Sequence, residues 1–186
     1  MADNGLQWKG VRRVDPDRPR PLADAVLRLI WHERRISRAQ IAQQAGLSRS
    51  TVSEIVGELL PTGLLAEVGT GRSRGGRRPI ILEFRDRAAV ILGVEMGAAH
   101  VGVALTDLRG RVLAWQSRGH PVRTDPEGTR ALVAELAREC LIASAGAPLV
   151  GIGVAVPSPV DPSHPDRLSE VVLPAWQGRL GLDDLA

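Results

Sequence analysis

The sequence predicts an α+β head of the winged helix-turn-helix class followed by a second domain of α/β class, and three observations carry that prediction. Residues 37–60, SRAQIAQQAGLSRSTVSEIVGELL, place apolar positions at helical spacing and break the pattern once, at a glycine. A glycine- and arginine-rich stretch, GTGRSRGGRRP, then lies between two short apolar runs of β character. From residue 90 onward short strands are followed by one helix and then by the continuous apolar run LVGIGVAV at 149–156.

Composition bounds the possibilities. A chain of 186 residues, 44% hydrophobic and 24% charged, has room for one or two ordinary globular domains. No apolar run reaches the roughly 18 residues that a membrane span requires. The N-terminus MADNGLQWKG lacks the apolar core of a signal peptide, so a cytoplasmic protein with no membrane partner is expected. A single cysteine, Cys140, rules out disulfides within the chain and zinc sites built from cysteine pairs, and no metal site is expected. Cys140 stands in an apolar helical run and reads as a buried structural thiol. The net charge of +3 is unevenly spread: through Val90 there are 16 Lys/Arg against 10 Asp/Glu, and from Ile91 onward 8 against 11. The first part therefore carries +6 and the second −3, a split that points to a polyanion as partner of the first.

In chain order, residues 1–20 hold Arg12, Arg13, Arg18 and Arg20 with Pro16 and Pro19 and almost nothing apolar. They read as a disordered arm, either tracking phosphates or simply solvated. Pro21 fits the first position of a helix, whose stripe is Leu22, Ala25, Val26, Leu29 and Ile30. Trp31 and His32 close it, and His32, with no second metal-binding side chain nearby, reads as a surface or packing residue. Ser37 and Gln40 form a capping box that opens the next helix, in which Ile41, Ala42 and Ala45 are apolar. Gly46 supplies the turn, Leu47 tucks inward and Ser48 caps a second helix. There Val52, Ile55, Val56, Leu59 and Leu60 face a core, while Arg49, Ser50, Ser53 and Glu54 crowd the opposite face near the N-terminus. That end of a recognition helix is the one that reaches base edges in a major groove. The DNA-contact set expected from the two helices is Arg38, Ser48, Arg49, Ser50, Thr51 and Ser53. The alternative is a two-helix corner of some other domain, with the same residues capping and solvated.

Pro61-Thr62-Gly63 breaks the helix, Leu64, Leu65, Glu67 and Val68 read as a short strand, and residues 80–84 as its returning partner. Between them Arg72, Arg74, Arg77 and Arg78 sit where a wing tip meets the DNA backbone or a narrow minor groove, and Gly75 and Gly76 permit close approach. A basic flexible linker is the competing reading. The expected domains are the arm at 1–20, the winged helix-turn-helix at 21–86 and a second domain at 87–186. In that second domain residues 90–94, then Val101, Val103 and Leu105, then residues 112–115 after a turn at Arg109-Gly110, describe a three-strand meander. Asp125-Pro126-Glu127 opens a helix with Leu132, Val133, Leu136, Ala137, Cys140 and Leu141 on its stripe, ending near Gly146. Residues 149–156 read as a buried parallel strand, stopped by Pro157-Ser158-Pro159.

The order of these motifs, ISRAQIAQQAGLSRSTVSEIVGELL, then GGRRP, then GVEMGAAHVGVALTDLRGRV, then GIGVAVPSPVD, resembles the ROK family of sugar-responsive repressors and sugar kinases, and within it the repressor branch. The resemblance covers roughly residues 21–186. It implies a DNA-binding head on a ROK domain of the actin-like ATPase (RNase H-like) fold, in a homo-oligomer whose affinity for double-stranded DNA answers to a sugar or sugar phosphate. In the family's kinases the first hairpin reads Asp-x-Gly-Gly-Thr; the matching residues here are Glu95, Gly97, Ala98 and Ala99, so the second glycine and the phosphate-binding hydroxyl are gone. His100, which follows, reads as a packed residue. No ATP, no other cofactor and no catalytic residue is therefore expected. The family's Asn-Asp segment, sugar-contacting residues and cysteine-rich motif have no counterpart before Ala186. The expected domain is thus truncated, and in the family's strand order 3-2-1-4-5 the run at 149–156 becomes an edge. The function expected is that of a sequence-specific DNA-binding regulator, a repressor of sugar-related genes. The alternatives are a ROK sugar kinase and a non-enzymatic interaction fragment.

Overall fold

The computed structural model describes residues 21–71, 78–161 and 163–180. The arm expected over residues 1–20 lies outside them. The chain divides between Ala88 and Ala89 into two compact units.

The first unit runs α1 (Pro21–Glu33), β1 (Arg35–Ser37), α2 (Arg38–Ala45), α3 (Arg49–Leu59), β2 (Leu65–Thr70) and β3 (Ile80–Phe84). The helix α1 starts at the proline, whose fixed φ and missing N–H suit that position. Its stripe is narrower than the spacing suggests: Val26 and Ile30 are fully buried, but Leu22 is 52% exposed and Ala25 is exposed as well. Periodicity gives the face of a helix but not how far along it the core reaches, and here the core lies under the second half. Arg34, at φ 64°, ends α1 with its amide on Ile30 O (3.1 Å) and turns the chain into β1. A left-handed conformation costs a side-chain-bearing residue about 1–2 kcal/mol, which the surrounding packing must offset.

The three strands form an antiparallel sheet in the order β1-β3-β2. Ile36 faces Leu82 across it, both at most 1% exposed, and these two join Val26, Ile30, Ile41, Val52 and Val56 in the core of the head. Each such side chain stabilises the unit by about 1.5–3 kcal/mol relative to its exposed state. Ala45, expected on the apolar face of α2, is exposed; the buried side chains of α2 are Ile41 and Ala42.

The second unit runs β4 (Val90–Met96), β5 (His100–Asp107), β6 (Val112–Gly119), α4 (Pro126–Leu141), β7 (Leu149–Ala155), β8 (Val160–Asp161) and β9 (His164–Leu168). β4, β5 and β6 form the antiparallel meander, and β7 pairs parallel to β4, giving the order β6-β5-β4-β7. At the β5–β6 turn the buried carboxylate of Asp107 accepts the amides of Arg109 (2.8 Å) and Arg111 (3.0 Å), and Gly110 takes the left-handed position. Asp125 caps α4, accepting the amide of Gly128 at 2.9 Å. Val133, Leu136, Ala137 and Cys140 of α4 are buried, and the Cys140 thiol reaches Val103 O at 3.4 Å. Burial pushes that thiol's pKa up, because the thiolate would be poorly solvated there. The run at 149–156 is parallel as expected but not buried as expected: Gly153, Val154 and Ala155 are exposed. Among the described residues β7 pairs only with β4, so it is an edge, as the family strand order implies.

The chain after β9 folds back onto this core. Trp176 is 2% exposed and donates its indole N–H to Val122 O at 2.8 Å. Arg130 of α4 lies over the same ring, 5.0 Å from its centroid, and donates to Leu180 O at 3.1 Å.

Candidate nucleic-acid interface

The helix-turn-helix is assembled by its caps. Ser37 Oγ accepts the amide of Gln40 (3.3 Å) and donates to Gln40 Oε1 (2.8 Å), while the Ser37 amide donates to the same Oε1 at 3.0 Å. Gly46, at φ 66°, then closes α2 with its amide on Ala42 O. The left-handed φ is what places glycine there, and the reversal it allows brings α3 across α2. Ser48 caps α3, accepting the amide of Thr51 at 3.1 Å. Its hydroxyl also lies 2.7 Å from that of Ser50 and 2.8 Å from that of Thr51, a cluster of three hydroxyls on the first turn.

Burial separates the two faces of α3. Val52, Ile55 and Val56 are buried, whereas Arg49, Ser50, Ser53 and Glu54 are exposed, as is Ser48; Thr51 is half-buried. The exposed set gathers at the positive end of the helix dipole and presents short hydroxyls beside one guanidinium. Hydroxyl and guanidinium groups are of the kinds that donate to phosphate oxygens or to guanine N7 and O6.

β2 and β3 form the hairpin expected of a wing, with Leu65 opposite Phe84, Ala66 opposite Glu83 and Glu67 opposite Leu82; the register then shifts before Thr70 meets Ile80. Gly71 and Pro79 close its described end through an amide–carbonyl bond of 2.8 Å. Arg78 is exposed at that end. Arg72, Arg74, Gly75, Gly76 and Arg77 lie outside the described residues. Arg38, grouped with the DNA-contact candidates on sequence, has its Nη2 on Glu67 Oε1 at 2.8 Å. Sequence reasoning also missed β1 and the Arg35–Glu83 pair (2.7 Å) across the sheet.

In the second unit Glu95, Gly97, Ala98 and Ala99 form the β4–β5 hairpin, closed by the Gly97 amide on His100 O at 2.9 Å. The imidazole of His100 lies against Gly97 so closely that a Cβ there would collide with it, and its Nε2 is 3.8 Å from Glu95 Oε1. The ring therefore occupies the place where a side chain at position 97 would stand. Among the described residues no group of three or more His, Cys, Asp or Glu is arranged to hold a metal ion. No helix among them is long and apolar enough to cross a membrane.

Comparison with known proteins agrees with this geometry. A winged helix-turn-helix DNA-binding family model matches residues 25–65. The chain is 35% identical over 128 residues to the xylose repressor of Bacillus subtilis, covering 68% of this chain and 33% of that protein. It is 36% identical over 141 residues to the DNA-binding transcriptional dual regulator NagC of Escherichia coli, covering 74% and 34%. A solved ROK family transcriptional regulator, a homologue of the E. coli MLC protein, shares the fold at a TM-score of 0.62 and 21% identity, over 86% of this chain and 40% of that one. These relatives are transcriptional regulators, and the chain shares the fold of a ROK family member. The chain spans about a third of the length of the curated relatives it matches. Its head is a winged helix-turn-helix, and the mixed sheet of its second unit shares the fold of that ROK family regulator.

Proposed function

We propose that the chain is the operator-binding part of a transcriptional repressor of sugar-related genes, acting on double-stranded DNA in the cytoplasm and without catalysis of its own. The observation that carries the reading is α3: a helix capped by Ser48, buried on one face, with Arg49, Ser50 and Ser53 exposed at its N-terminal end. In this reading Ser48 and Thr51 support and extend that set, and Arg78 with Arg72, Arg74 and Arg77 contacts backbone or minor groove, Gly75 and Gly76 letting the tip approach. The names of the relatives, repressors for xylose and for N-acetylglucosamine, support sugar-related genes as the target. They also support a sugar or sugar phosphate as the effector of a homo-oligomeric whole protein. Ala98 and Ala99, where the kinase hairpin has its second glycine and its hydroxyl, weigh against the kinase reading.

The test is duplex binding followed by fluorescence anisotropy at several salt concentrations. The logarithm of the affinity should fall linearly with the logarithm of salt, by about 0.9 per phosphate contacted. A chain that binds no duplex at low salt would end the proposal.

A further inference from the structure

We infer that Arg38 is a positioning residue for the wing, acting through Glu67, and is not itself a DNA contact; this rests on the reading of the head as a DNA-binding unit. Arg38 opens α2 and Glu67 lies in β2, 29 positions away, yet their side chains meet at 2.8 Å. Glu67 stands opposite Leu82, which stands opposite Ile36, and directly opposed residues share a face of a sheet. That face is the buried one. The carboxylate therefore leaves the edge strand on the side of the helices and meets the first turn of α2. Glu67 is also the last residue of β2 before the register shifts, between it and Thr70. The ion pair fastens the wing where the ladder of the sheet becomes irregular, a few residues before the arginine-rich segment. Its charge bookkeeping points the same way: a phosphate approaching Arg38 meets a carboxylate already bound to it, whereas Arg49 and Arg78 are exposed with no carboxylate placed on them among the described contacts.

The two roles predict opposite results for Glu67. If Arg38 positions the wing, Arg38→Gln and Glu67→Gln should weaken binding of the full chain to a labelled random-sequence duplex alike. The loss should be up to about fivefold, the factor to which the strongest exposed ion pairs correspond. The exchange Arg38→Glu with Glu67→Arg should restore most of it, and thermal unfolding should leave all variants folded. If Arg38 instead touches phosphate, Glu67→Gln frees it and tightens binding, and Arg38→Gln lowers the salt slope by about one. That pattern overturns the inference, as do single variants that bind like the parent, or an exchange no better than either single change. Failure of the parent chain to bind the duplex overturns the DNA-binding reading itself, a result separate from all of these.

Discussion

Replacing Ser37 by alanine tests how the reading head is held together. Ser37 is 4% exposed, and its hydroxyl makes two of the three bonds of the capping box, accepting from the Gln40 amide and donating to Gln40 Oε1. Alanine removes both and leaves only the Ser37 amide on Oε1. Loss of an N-cap side chain costs about 0.5–2 kcal/mol. Water has little access to a site this buried and cannot replace the hydroxyl, so the cost should fall at about 1–2 kcal/mol. For a unit of this size that is a drop in melting temperature of roughly 5–15 °C. Calorimetry of the full chain, following the transition of the head, measures it. Ser48→Ala is the internal comparison: it removes the cap of α3, but Ser48 is exposed, water can take its place, and the cost should be smaller. A Ser37→Ala shift below roughly 2 °C, or a larger shift for Ser48→Ala, would refute the argument from burial.

The remaining predictions concern the interface and the second unit. Arg49→Ala should weaken binding to a selected operator by about 1–3 kcal/mol and change base preference at one position; unchanged affinity would remove α3 from its assigned role. Trp176→Phe leaves Val122 O without its donor in the core and should cost the second unit about 1–3 kcal/mol in urea unfolding, whereas an unchanged midpoint would mean the indole is no anchor. Cys140 should resist thiol reagents until the unit unfolds. Its pKa is raised in the folded state, so its contribution to stability is complete below the ordinary thiol range and is lost as pH rises through the folded value. Melting temperature should therefore fall on the alkaline side, and Cys140→Ala should flatten that fall; rapid labelling of the native protein would contradict both expectations.

What could be read from the sequence was local. The capping box, the turn glycine at 46, the strand at 80–84 and the Asp125 cap each declare themselves within a few residues, because the backbone groups they satisfy are neighbours. What escaped depends on residues far apart. β1 is three residues long, and its one apolar side chain, Ile36, is a strand residue only because Leu82 lies opposite. Arg38 reads like any arginine at a helix start until Glu67 is placed beside it. For Leu22 and Ala25 the pattern gave the face but not the extent of the core. His100 reads as a packed residue, yet its side chain is 44% exposed; that its ring lies against Gly97 follows from the hairpin geometry, which no spacing contains.

β1 has a consequence for recognition. It hydrogen-bonds β3, the middle strand of the sheet, and its last residue, Ser37, is paired with Ile81 while capping α2. The returning strand of the wing is therefore stitched to the start of the reading head on one side and to β2 on the other. If the head binds DNA as proposed, helix and hairpin would act as a gauge. A duplex would be selected not only by the edges of its bases but by whether its grooves fall at the separation the gauge allows, so that stiff or narrowed sequence between two contact points would be favoured or refused by a head that never touches it.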